Sequence, residues 1–335
     1  MEQKKKLKVA QIGAAHLHAG AALSTIRRHS DLFELLGYGV PEEEKNTPFY
    51  EMSKKYETHT PEEILDLPDL DAVFIEVSEK NLTKYALAAA RRGLNVYMDK
   101  PGGIGLREFE ELVQTIKEKG KILHLGYMYR YNPAVKKLLE KVKKGELGEI
   151  YSVEGHMSCF TSLSFRDFLK EYPGGMMFQL GCHLLDLVLQ IQGLPEEVIP
   201  LNAKTGFEGK DSVDFGFAAL RYKNGTSFIK TSAVERGGFC RRQLVVCGTK
   251  GTVELRPLER DATEKHNDSK LCTDIYETYS DEWVTVPEKS TTDIYNRYDD
   301  MMLSFASVLR GEKENLYSAD YELSLYKTLL KCCGE

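Results

Sequence analysis

"VAQIGAAHLHAG", residues 9–20, sets an apolar run directly against a loop that carries two histidines. Two architectures begin this way. His16 and His18, two residues apart, can point both rings to one side, as in metal-dependent barrel hydrolases, where such a pair ends the first strand. Alternatively, Gly13 opens a phosphate-binding turn between a strand and a helix. The barrel needs further His, Lys or Asp ligands at later strand ends and an eightfold strand–helix repeat. The phosphate-binding turn needs a doubly wound parallel sheet.

The chain that follows decides between them. "LKVAQIG" (7–13), "FELLGYGV" (33–40), "DAVFIEV" (71–77), "NVYMD" (95–99) and "ILHLGYMY" (122–129) read as buried strands. Between them lie helical patterns in "GAALSTIRRH", "TPEEILD", "NLTKYALAAARRG" and "LREFEELVQTIKEKG", the second opened by a Thr cap and the third closed by Gly93. Strand–helix alternation at this spacing predicts an N-terminal Rossmann domain over residues 1–126, a doubly wound parallel sheet of the α/β class. From residue 127 to 335 the rhythm changes. Longer strand-like runs, "EIYSVEGHMS", "SVDFGFAALRY", "TSFIKTSAV", "RRQLVVCG" and "GTVELR", predict an α+β domain with an open, mostly antiparallel sheet flanked by helices. "KNG" (223–225) and "GTKG" (248–251) mark its hairpin turns. His29 and His59 stand in polar, non-strand contexts, so the barrel's ligand set is missing and no metal is expected.

At 335 residues the chain is long for a single core, which fits two domains. Its apolar fraction of 42% and charged fraction of 29% are those of an ordinary globular protein. A net charge of −6 gives no electrostatic reason to expect nucleic acid or an anionic membrane as partner. The one basic cluster, "KKKLK" (4–8), lacks the apolar stretch of a signal peptide, and no run is long enough to span a bilayer, so a cytoplasmic protein is expected. Seven cysteines form no C-x-x-C pair or zinc-finger spacing and read as free thiols.

Set against G-x-G-x-x-G, the first loop offers Gly13, Ala15 and His18. Gly13 keeps the tight turn, Ala15 still admits a pyrophosphate near the backbone, and His18 stands where strand–helix packing normally wants no side chain. The backbone of Ala14, Ala15, His16 and Leu17 is then expected to carry the pyrophosphate, with His16 adding a side-chain donor. Val40 occupies the place of the carboxylate that would hold the adenosine ribose, with Glu42 and Glu43 as substitutes. No Arg stands nearby to receive a 2′-phosphate, which favours NAD over NADP.

Further along, "YMDKPGG" (97–103), "GYMYRYNPAVKK" (126–137), "GGMMFQLGCHLLDLVLQIQG" (174–193) and "DDMMLSFASVLRGEKE" (299–314) occur in order. Through these the chain resembles the Gfo/Idh/MocA oxidoreductases over nearly its whole length. That family carries E-K-P where this chain has Asp99-Lys100-Pro101, and D-x-G-x-H-x-x-D around Gln179, His183 and Asp186. "SEKN" (78–81) replaces its A-T-P-N, which places Ser78, Glu79 and Asn81 beside the cofactor. The resemblance implies an NAD(P)-dependent enzyme with its active site in a cleft between the domains, acting on a hydroxyl of a sugar, inositol or related polyol. It assigns Asp99 and Lys100 to the cofactor and Lys100, His183, Gln179 and Asp186 to catalysis.

The chemistry suits those places. Oxidising an alcohol takes hydride from carbon and a proton from oxygen, and His183 is the side chain whose ordinary pKa suits a base near neutrality. Lys100 can stabilise developing alkoxide charge and hold the nicotinamide ribose or carboxamide. Gln179 can orient a neighbour but supplies no charge, and Asp186, three residues after His183, has a structural alternative as a cap or clamp. Arg130 in "YMYRY" can reach cofactor or a carboxylate. Two other functions fit the same letters: an enzyme that retains its NAD while a glycosidic bond eliminates, and a non-catalytic ligand sensor, motivated by the altered loop, Val40, "SEKN" and Gln179. An open sheet has a face to bury, so a homodimer or homotetramer through the C-terminal sheet is expected.

Overall fold

The computed structural model describes residues 5–335, so Lys4, the first residue of the basic run, lies outside the described residues. The chain divides into two compact units, one of residues up to Tyr127 with Tyr298–Tyr326, the other of Met128–Arg297 with Lys327–Glu335.

The first unit is built on five parallel strands, β1 (Leu7–Ile12), β2 (Phe33–Gly39), β3 (Ala72–Ile75), β4 (Asn95–Met98) and β5 (Leu123–Leu125), in the order β2-β1-β3-β4-β5. Every residue of β3 is buried, which is why these runs read as continuously apolar rather than alternating. The intervening helices are α1 (Ala19–Arg28), α2 (Pro48–Ser53), α3 (Pro61–Leu65), α4 (Leu82–Arg91) and α5 (Leu106–Glu118). Helix α5 buries Phe109, Leu112, Val113 and Ile116, one stripe at helical spacing. Helix α3 begins with a capping box in which Thr60 and Glu63 satisfy each other's backbone N–H. The chain runs out from β1 to β2 and returns to β3 on the opposite side, so the crevice beyond the carboxyl ends of β1 and β3 is the topological switch point.

The second unit contains an eight-stranded sheet. Its strands are β6 (Ile150–Ser158), β7 (Glu197–Pro200), β8 (Phe215–Tyr222), β9 (Gly225–Ser232), β10 (Gln243–Gly248), β11 (Gly251–Leu255), β14 (Asp274–Thr278) and β15 (Glu288–Thr291); β12 (Arg260–Asp261) and β13 (Leu271–Cys272) make a separate short ladder. The order is β15-β14-β11-β10-β6-β9-β8-β7, antiparallel throughout except for β6 against β9. Two-residue loops at Lys223-Asn224 and Thr249-Lys250 close the two hairpins that the turn residues signal. Helices α6 (Pro133–Lys143), α7 (Leu163–Phe168) and α8 (Cys182–Gln192) belong to this unit. α8 seats against β6 at Gly155, where an added Cβ would come within 3.2 Å of the Leu184 side chain. Alternate residues Ala218, Leu220, Ile229, Leu244, Val246, Val253 and Leu255 face this core. On the other face Phe217 and Phe228 stack while half-buried.

Residues Tyr298–Tyr326, which the sequence reading places in the C-terminal domain, pack with the first unit. Phe305 of α9 (Asp299–Leu309) meets the rings of Phe74, Tyr97 and His124 at 5.6, 5.7 and 5.0 Å. The last helix, α10 (Ala319–Cys333), places Tyr326 against Phe109, with its hydroxyl donating to the Gly103 carbonyl. All seven cysteines are free, and burial pushes the Cys332 thiol up to about 12. Among the described residues no helix is long and apolar enough to cross a membrane.

Candidate functional site

Parallel pairing brings the ends of β1, β3 and β4 level. The Glu76 N–H donates to the Ile12 carbonyl (2.8 Å), the Asp99 N–H to that of Ile75 (3.1 Å), and the His16 N–H to that of Glu76 (3.1 Å). Gly13 adopts φ +107°, and a Cβ there would lie 2.4 Å from the Val77 nitrogen, so only glycine lets the first turn pass this close to β3. The buried Gln11 amide donates to the carbonyls of Gly13 and Ala19, fastening the loop to the start of α1.

The amides of this turn already hold an anion. In the short turn Glu42–Glu44 after β2, Glu44 is buried, and its carboxylate accepts from the N–H groups of Ala14 and Ala15, both at 3.1 Å, and of Ser78 at 2.8 Å. The three amides come from two turns, after β1 and after β3, and converge on one carboxylate, a cradle of donors of the kind that also suits a phosphate. Burial raises the Glu44 pKa, and the three amides only partly offset it. Val40, by contrast, packs in a hydrophobic cluster with Ala14, Leu23 and Tyr38, so its side chain fills core where a ribose-binding carboxylate was the alternative. Leu17 is 67% exposed, and Asn81 donates to the Ser78 hydroxyl. Glu42, a sequence candidate for the ribose, points to solvent and pairs with Lys45.

Beside the cradle, His16, His18, Glu76, Glu79, Asp99 and Lys100 gather. Asp99 Oδ2 lies 3.2 Å from His16 Nδ1 and 3.0 Å from His18 Nδ1. Glu76 Oε2 is 4.0 Å from His16 Nδ1. On the far side of the ring, His16 Nε2 faces the Lys100 carbonyl at 3.2 Å and the Glu79 carboxylate at 3.7 Å. The Lys100 N–H donates to Asp99 Oδ1 at 2.6 Å. The titration of the cluster is correspondingly displaced. Burial works against a charged His16, but Asp99 outweighs it and holds the ring above its ordinary value; burial prevails at His18, which sits below. Burial would raise Asp99, but the two imidazoles hold it well below the usual carboxylate range. Glu76, buried beside the charge of Asp99, is pushed well above it.

The second unit positions the remaining candidates. A π-type turn over Met177–Gly181 runs into α8 and carries Gln179 and His183, both buried. The His183 ring stands edge-on to Tyr129 at 5.1 Å. Asp186 is bound to the fully buried Arg130 at 2.8 Å and to Gln190 at 2.9 Å. This supports the clamp alternative for Asp186 and gives Arg130 its carboxylate. Tyr129 donates to Glu259, which is also paired with Arg242 and Arg297. Asn132 caps α6 through the N–H groups of Ala134 and Val135.

Sequence reasoning missed Glu44, Glu76 and the pairing of His18 with Asp99. Glu76 left a trace, as the one charge at the end of "DAVFIEV" after four apolar residues. Glu44 left none, because "EEEK" reads as a solvated run.

A parallel sheet with an anion-binding turn at its switch point, joined to an α+β unit, defines a two-domain nucleotide-binding protein. More particularly, the chain belongs to the GFO/IDH/MocA family: residues 7–127 match the model described as an oxidoreductase family with NAD-binding Rossmann fold, and residues 135–254 match its C-terminal domain. It is similar to the myo-inositol 2-dehydrogenase of Thermotoga maritima, 27% identical over 58% of this chain and 58% of that one. It is also similar to the 1,5-anhydro-D-fructose reductase of Ensifer adhaerens, 24% identical over 60% of this chain and 66% of that one. The matched stretches thus span less than two thirds of these curated relatives. A 3-ketoreductase from Actinomadura kijaniata, solved in complex with NADP and TDP-benzene, shares the fold with a TM-score of 0.77 at 15% identity, over 97% of this chain and 96% of that one.

Proposed function

We propose that this protein is an NAD(P)-dependent oxidoreductase interconverting a hydroxyl and a keto group on a sugar, inositol or related polyol. The observation that carries the reading is the cradle of three amides, Ala14, Ala15 and Ser78, converging on one anionic group at the switch point. The Glu44 carboxylate stands in for a phosphate there, so the residues present fit a dinucleotide once that carboxylate withdraws. The substrate class is supported by the names of the relatives.

When bound, the nicotinamide supplies the hydride acceptor. Ala14, Ala15 and Ser78 would hold its phosphates through their N–H groups, and the Gly13 turn would let them approach. Lys100 stabilises negative charge developing on the substrate oxygen, and His183 takes the hydroxyl proton. Gln179 orients, and Asp186 acts through Arg130 as a positioning residue. We further propose a cytoplasmic homo-oligomer, a dimer or tetramer, formed through the half-buried face of the second unit's sheet.

A non-catalytic sensor is the second reading, favoured by Glu44 lying on the amides that a cofactor would use. Calorimetry with NAD, NADH, NADP and NADPH, followed by turnover on inositols and sugars, separates the two. His183→Ala and Lys100→Ala are each expected to lower turnover by about 10²–10⁴-fold with unchanged circular dichroism. Unchanged rates in both variants, or no binding of any nucleotide, would sink the oxidoreductase reading. Turnover without net NADH would instead indicate an enzyme that retains its cofactor.

A further inference from the structure

We propose that His16, His18, Asp99 and Glu76 bind one divalent transition-metal ion of the zinc type. The inference goes beyond the oxidoreductase reading and does not rest on it, and it opposes the expectation of no metal drawn from the sequence.

The four residues come from three neighbouring strand ends, where the pairing of β1, β3 and β4 fixes them. The ligand atoms of His16, His18 and Asp99 all lie within 4.8 Å of one another. Asp99 Oδ2 is 3.2 and 3.0 Å from the two Nδ1 atoms. Two ligands each about 2.0–2.2 Å from a tetrahedral ion stand roughly 3.3–3.5 Å apart, close to that spacing. Glu76 Oε2, 4.0 Å from His16 Nδ1, supplies a fourth group after a small rotation.

Hydrogen bonding fixes which nitrogen of His16 is available. Nε2 faces the Lys100 carbonyl at 3.2 Å, a pure acceptor, so that nitrogen carries the proton. The His18 N–H donates to Nδ1 at 3.2 Å, which marks Nδ1 as the one with the lone pair. With His16 neutral, that lone pair looks at the lone pairs of Asp99 Oδ2, and the contact is completed either by a second proton on the ring or by a metal ion between the two atoms. An imidazole whose second nitrogen is held by a backbone carbonyl is the usual form of a metal-binding histidine.

Glu76 is the independent sign. It has 0% exposure, and neither of its carboxylate oxygens accepts a hydrogen bond. A buried carboxyl group in that state is costly to ionise beside the charge of Asp99, and a cation at the site would offset that cost. A divalent ion would meet both oxygens' need and balance the two charges of Glu76 and Asp99 with the imidazoles neutral. Two imidazoles with two carboxylates suit zinc and its neighbours; magnesium and calcium prefer oxygen alone, and copper(I) prefers sulfur. The His18 side chain is 20% exposed, which leaves a route for the ion to enter.

The test is titration of the chelator-stripped full chain with Zn²⁺ by calorimetry and with Co²⁺ by visible absorbance. One ion per chain is expected, with the intense d–d bands of a tetrahedral cobalt site. Binding should weaken by roughly 100-fold or more in His18→Ala and in Glu76→Gln, by analogy with the losses seen when even outer-shell partners are removed. His29→Ala, a histidine paired with Asp299, should leave it unchanged. No binding of either ion, or binding that survives both His18→Ala and Glu76→Gln, overturns the proposal and leaves a proton between His16 and Asp99. Should Glu76→Gln fail to fold, the partly exposed His18 decides. Nucleotide titration of the same stripped protein keeps the two readings apart: nucleotide without metal defeats this one alone, and metal without nucleotide defeats the oxidoreductase alone.

Discussion

The two units bury charge in opposite ways. In the second, two buried acids meet guanidiniums: Asp186 faces Arg130 at 2.8 Å, and Glu259 faces Arg297 and Arg242 at 3.0 and 3.3 Å. In the first, Glu44 is held by backbone amides, Asp99 by two imidazoles, and Glu76 accepts no hydrogen bond at all. Buried ions that the chain itself completes hold a fold in register; ions it leaves incomplete are where something from outside can bind.

The comparison breaks most visibly at Arg130. Arg130→Met strands Asp186 in the interior and should cost roughly 3–5 kcal/mol, read as a lowered urea midpoint, while the double variant Arg130→Met/Asp186→Leu recovers most of it. A single variant that costs less than about 1 kcal/mol would mean the pair is not the closed unit its geometry indicates. At Glu44 the effect should be smaller and of opposite sense. Glu44→Gln keeps the shape, removes the competing charge, and should tighten NAD(P) binding about tenfold, or ~1.4 kcal/mol. An unchanged dissociation constant by calorimetry would show that the carboxylate does not guard the cradle.

The smallest effect concerns acid. Burial alone would raise the Asp274 pKa, but the Arg260 guanidinium and the Thr291 hydroxyl outweigh it and hold the carboxyl below its ordinary range. A carboxyl depressed in the folded state contributes stability above its unfolded value of about 4, and loses it as pH falls through the folded value. Asp274→Asn should therefore flatten the decline in thermal midpoint below about pH 4. A decline as steep as in the parent would remove Asp274 from the account.

Much of the scaffold was legible because it is written in local periodicity. The five strands of the first sheet, the stripe of α5 and the two hairpins follow from runs and turns within a dozen residues of one another. The edge strand β15 was not legible, because "EKST" is short, polar and exposed and becomes a strand only through its neighbour. The site divides in the same way. Gly13, Ala14 and Ala15 could be placed from the strand–turn–helix pattern and Ser78 from the family resemblance of "SEKN", whereas Glu44 reaches Ala14 across 30 residues and Asp99 reaches His18 across 81. Such contacts depend on how crossovers return the chain, and no window of sequence holds that information.

The place of Phe305 has a consequence for the order in which the molecule can be made. Its ring covers Phe74, Tyr97 and His124, so the first sheet is sealed by residues translated long after its strands. The nascent first unit must wait, with part of its aromatic core open to water or to a chaperone, until the intervening chain has been synthesised. A fragment ending at Tyr127 would keep all five strands and still lack its lid.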